Sequence, residues 1–112
     1  MLHGASALSL LEFCRILTIK EIITMRNRYK QVLSTFFRHK LFQTRGILLD
    51  ITQEEMAHRI GISTRAYVDL ENGKTTCSAV TLALFLVYVC NDPIEFQEEL
   101  RYAFESVRAK AN

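Results

Sequence analysis

Residues 52–73 read TQEEMAHRIGISTRAYVDLENG, and this order of residue types predicts two short helices joined by a tight turn. Thr52 caps the first helix, and Glu55 three residues later completes a capping-box pattern. Met56, Ala57 and Ile60 then form an inward stripe at helical spacing. Gly61 stops the helix in the left-handed conformation, Ile62 plugs the turn, and Ser63 caps the next helix. Ala66, Tyr67 and Leu70 face the body of the domain, and Asn72-Gly73 closes the second helix with Gly73 left-handed. This is the layout of a helix-turn-helix.

Downstream, the polar stretch TTCS leads into residues 79–89, which are apolar on almost every face. A helix of that kind is expected to be buried on nearly all sides. Asn91-Asp92-Pro93-Ile94-Glu95 is a restart, with Asp92 as cap, Pro93 in the first helical position and Glu95 reaching back. A helix from about 93 to 110 follows, with Phe96, Leu100, Ala103, Phe104 and Val107 as its apolar stripe.

Upstream, Tyr29, Val32, Leu33, Phe36, Phe37 and Leu41 recur at three- and four-residue steps, the signature of a long amphipathic helix. Phe36, Phe37 and Phe42 read as core or interface residues. The connection Gly46-Ile-Leu-Leu-Asp-Ile51 is apolar for a surface loop, so its Leu and Ile side chains are expected to plug a gap between helices. The first 24 residues form an apolar helical arm, with possible capping boxes at Ser9–Glu12 and Thr18–Glu21. The arm packs on its own chain or on a partner, and Met25 is an alternative start. Glu12, Arg15, Lys20 and Glu21 interrupt the apolar run, which excludes a secretory signal or a membrane span of about 20 residues.

The totals fit one domain: 112 residues, 49% hydrophobic, one Pro and four Gly, with little room for strands. Such an apolar share in a small chain suggests that a second chain completes the core. Cys14, Cys77 and Cys90, with His3, His39 and His58, show no metal-ligand spacing, and a reducing cytoplasm is the expected setting. His58 reads as a solvated side chain. No nucleophile, acid pair or phosphate loop points to catalysis, so neither enzyme activity, metal nor cofactor is expected. Charge is uneven. Residues 1–43 hold seven basic against two acidic side chains, a balance of +5, whereas residues 44–112 hold seven against ten, a balance of −3. The basic character lies outside the helix-turn-helix unit.

The ordered set Gln53, Ala57, Gly61, Ser63, Leu70, Glu71, Gly73 and Lys74 resembles the phage Cro and C1 repressor (Xre-like) family, from about Thr35 to Cys90. The resemblance implies an all-α, lambda-repressor-like fold of about five helices, here with the N-terminal arm (1–24) added to a single domain (25–112). It also implies double-stranded DNA as partner, with the second helix of the unit in the major groove. Arg65, Thr64, Val68 and Asp69 then become candidate base contacts, with Arg65 able to bond guanine in bidentate fashion. Gln53, Ser63, Asn72, Lys74 and Thr75 become candidate phosphate contacts. Glu71 resembles a family acid that pairs with an arginine of the first helix. The matching slot here is Gly46 and Arg45 stands one place earlier, so either the first helix shifts register or the pair is absent.

A homodimer on a near-palindromic operator is the expected form of a regulator, with the Phe96/Leu100/Ala103/Phe104/Val107 stripe as its interface. The alternative is a protein-interaction or antitoxin-like module that keeps the fold and binds a protein partner. Val68, Asp69 and the acidity of the second half favour that alternative.

Overall fold

A computed structural model describes residues 18–111 of the chain. It is all-α, with five helices: α1 (Ile19–Phe42), α2 (Gln53–Ile60), α3 (Thr64–Glu71), α4 (Ala79–Tyr88) and α5 (Pro93–Ala111). A π-helical segment, Gln43–Leu49, continues α1 without a break. The arm's Ser9–Glu12 capping box and most of its apolar run lie outside the described residues.

The helix ends follow local chemistry. At the start of α1, Thr18 Oγ1 accepts from the Glu21 N–H and Glu21 returns a bond to the Thr18 N–H, a complete capping box. From there α1 runs straight through Met25, which is buried. Thr52, Ser63, Ser78 and Asp92 each accept a bond from the backbone N–H three residues on, at 3.0–3.1 Å. The box at Thr52 is only half made, because Glu55 turns to Arg59 instead of reaching back. Gly61 (φ 90°) and Gly73 (φ 78°) take the left-handed conformation that ends α2 and α3.

Helices of eight residues, as α2 and α3 are, are marginal alone and depend on packing. Met56, Ala57 and Ile60 of α2 meet Tyr67 and Leu70 of α3 in one core with Phe37, Leu41, Phe85 and Phe96. Phe37 stands edge-on to Phe85 at 5.2 Å, and Phe36 edge-on to Phe96 at 5.2 Å. Such ring pairs add about 0.5–1.5 kcal/mol each beyond their buried area. α1 and α5 lie antiparallel, as the pairs Tyr29–Phe104 and Phe36–Phe96 require, and Lys40 and Glu99 form an ion pair between them.

This packing corrects two expectations and bears on two more. The residues 46–49 are helical, not a loop, and Ile47, Leu48 and Leu49 are exposed while only Ile51 packs on the core. Within α4 only Phe85 is fully buried, and Val80, Val87 and Tyr88 are about 70% exposed; α2, with Phe37 of α1 and Phe96 of α5, covers one side of the helix and leaves the rest open. Ala66 faces solvent, since Tyr67 and Leu70 alone fill the inward face of α3. Phe42 is half exposed and lies against the Arg45 guanidinium at 5.8 Å.

Candidate nucleic-acid interface

The site is built on α3, whose two sides have opposite character. Its inner side is fixed by a polar cluster. Arg45 Nε and Nη2 donate to the two oxygens of Glu71, each at 2.8 Å, and Arg45 Nη1 donates to the Ile51 carbonyl at 3.1 Å. Gln53 Nε2 donates to the same carboxylate at 3.0 Å, and the Tyr67 hydroxyl donates to Glu71 Oε2. The cluster joins the π segment, the start of α2 and the end of α3. No buried side-chain polar atom among the described residues lacks a partner.

The π segment explains how Arg45 reaches Glu71. Its closing bond runs from the Asp50 N–H to the Arg45 carbonyl, five residues back, with Asp50 left-handed at φ 51°. A π turn holds one residue more than an α turn. The residue one place early in sequence therefore arrives opposite the acid, and of the two alternatives it is the register shift that occurs.

Electrostatics follow the bonds. Burial alone pushes the Glu71 carboxyl up, but hydrogen bonds from Arg45, Tyr67 and Gln53 outweigh it and hold the group below the usual carboxylate range. The hydrogen bond to Glu71 raises Arg45 further. Burial, then the Glu71 carboxylate, pushes the Tyr67 phenol well above its ordinary value. Glu71 is thus ionised and Tyr67 a neutral donor at neutral pH. Tyr67's role was missed in the sequence, where it reads as core; the signal is its spacing of four from Glu71, one turn apart on a helix.

The outer side of α3 is open. The Arg65 side chain is 89% exposed, with Nε 3.8 Å from Asp69 Oδ2. Thr64 is exposed, and Val68 and Asp69 are half-buried. Ser63 is exposed and its hydroxyl caps α3. Asn72, Lys74 and Thr75 are exposed on the loop after α3, which is folded back by bonds from the Lys74 and Thr75 N–H groups to the Asp69 carbonyl. Gln53 is half-buried, held by Glu71. The fold thus gathers the candidate residues at the start of α2, along α3 and in its following loop.

The predicted interface stripe of α5 is used within the chain: Phe96 and Val107 are buried, and Leu100, Ala103 and Phe104 are partly buried. Among the described residues no cluster of His, Cys, Asp or Glu is arranged to hold a metal. Burial pushes the Cys77 thiol up to about 11, so it is no nucleophile at neutral pH. No described helix is long and apolar enough to cross a membrane.

Residues 43–86 match a helix-turn-helix family model, and no curated protein and no solved structure matches the chain. The match begins at the π segment and ends within α4, so it contains the whole Arg45–Glu71 cluster. Domains of this kind are DNA-binding regulators rather than enzymes. Residues 43–86 are a helix-turn-helix domain of the Xre/Cro-C1 type.

Proposed function

We propose that this protein is a sequence-specific, double-stranded DNA-binding regulator that acts as a dimer on a near-palindromic operator. The observation that carries the reading is the two-sided character of α3: one side is fixed by four hydrogen bonds to Glu71 while the other offers Arg65 and Thr64 to solvent. A reading helix must be held rigidly and left bare on one side. Arg65, Thr64, Val68 and Asp69 are assigned to base edges, with Gln53, Ser63, Asn72, Lys74 and Thr75 on phosphates. Selection of bound duplexes from a random pool, followed by titration of selected and scrambled sites at one salt concentration, tests it. Enrichment of a near-palindrome supports the reading; no enrichment, with equal affinity for every duplex, removes sequence specificity.

For the dimer, the exposed apolar side chains outside α5's packed stripe are now the better contacts. Ile47 and Leu48 line a shallow pocket with Cys90, Asn91 and Asp92, and the exposed Tyr88 and Ile94 flank that same turn. Large apolar side chains that the fold leaves exposed are candidates for an interface, and two like chains most simply close as a twofold pair. Val87→Asp with Tyr88→Ser is expected to shift sedimentation equilibrium from dimer to monomer with the fold kept, since both side chains are exposed. A wild-type monomer at every concentration would remove the dimer. The same surface favours the second reading, a module that binds another protein, and capture of a partner without enrichment of any duplex would select it.

A further inference from the structure

We propose that one face of α1 is a second phosphate-binding surface, outside the helix-turn-helix match, which carries the DNA backbone on from the loop after α3. The inference rests on the DNA-binding reading above. A groove of about 630 Å³ lies between α1 and that loop, lined by Lys30, Gln31, Ser34 and Arg38 on one side and by Gly73 and Thr75 on the other. No acidic side chain lines it. The Arg38 guanidinium lies directly over Gly73, where a β-carbon would collide with it. The first cation of the face is thereby placed beside Lys74, already assigned to phosphate.

Ion pairing separates these cations from four others. Lys40, Arg45, Arg59 and Arg65 each have an acidic partner within 4.0 Å. Lys30 and Arg38 have none among the described residues, and both are exposed. They stand eight residues apart on one side of α1, about 12 Å along its axis, which equals three to four base-pair steps of about 3.4 Å. Between them Gln31 and Ser34 add neutral donors of the sort that phosphates accept. The surface draws on two of the seven basic side chains of residues 1–43. The helix-turn-helix unit carries acidic residues of its own, and the fold brings the basic helix alongside it. Part of the backbone affinity is therefore carried outside the unit that reads sequence.

The test is the salt dependence of binding to a long random-sequence duplex, which needs no knowledge of the operator. For Lys30→Gln with Arg38→Gln, the slope of log affinity against log salt is expected to fall by about two, as each lost phosphate contact removes about 0.9. Across a fourfold rise in salt, the wild type then loses about twelvefold more affinity than the variant does. The charge-keeping pair Lys30→Arg with Arg38→Lys is expected to keep the wild-type slope, which separates loss of charge from loss of fold. A wild-type slope in the Gln pair overturns the surface while DNA binding stands. An equal fall in the charge-keeping pair also overturns it, since packing and not charge would then be responsible. A wild-type chain that binds no duplex at all defeats the DNA-binding reading instead.

Discussion

The inner and outer sides of α3 use the same kinds of residue to opposite ends. On both an arginine faces an acid. Inside, Arg45 and Glu71 make two parallel bonds at 2.8 Å, with only 17% and 7% of their side chains exposed. Outside, the exposed Arg65 and the half-buried Asp69 sit one turn apart at 3.8 Å. Buried, hydrogen-bonded pairs are costly to break one partner at a time, whereas exposed pairs contribute little. The inner pair therefore fixes where the helix stands, and the outer arginine keeps its donors available. What matters in a recognition helix is this difference, not the number of ion pairs.

The largest effect is expected from breaking the inner pair. Glu71→Ala leaves Arg45 without its partner, and removal of one member of a buried pair costs about 3–5 kcal/mol. The lower end, about 3 kcal/mol, is expected here because Arg45 keeps some contact with water. Arg45→Ala combined with Glu71→Ala should cost less than the two single changes together, since neither charge is then stranded. Additive losses in urea unfolding would show that the two residues are not coupled.

Acid should act on the same pair. The folded-state pKa of Glu71 is lowered, so its stabilisation is present above the unfolded value of about 4.3 and disappears as pH falls through the folded value. Unfolding free energy is expected to drop over that window in the wild type and to be flatter there in Glu71→Gln. Identical pH profiles would assign the acid limb to other carboxylates.

A smaller effect is expected from Tyr67→Phe, which keeps the buried ring and removes the hydroxyl's bond to Glu71. Hydrogen bonds to charged groups contribute about 1.5–3 kcal/mol, and the lower end applies because Arg45 and Gln53 still hold the carboxylate. An unchanged melting curve would leave Tyr67 with packing as its only role.

The smallest effect on stability belongs to Arg65→Ala. Its side chain is exposed, so unfolding should change by no more than about 0.5 kcal/mol. Preference for the selected site over a mismatched one should nevertheless fall by about 1–3 kcal/mol, the scale of one bidentate base contact. Equal losses on both duplexes would make Arg65 a phosphate contact and leave the contrast between the two sides a matter of stability alone.

The sequence by itself determined the elements that depend on neighbours along the chain. Caps at Thr52, Ser63 and Asp92, left-handed stops at Gly61 and Gly73, and the stripe Met56/Ala57/Ile60 are set by bonds and spacings a few residues long. Tertiary structure decided whatever depends on what stands opposite. Whether Arg45 could reach Glu71 turned on a π turn, and nothing local to Gln43–Leu49 announces one, since its reward is a pair made 26 residues away. The apolar stripe of α5 was legible as a stripe, but only the antiparallel packing on α1 decided that it is covered from within the chain. Apolar periodicity records that a face must leave water and carries no record of which surface covers it.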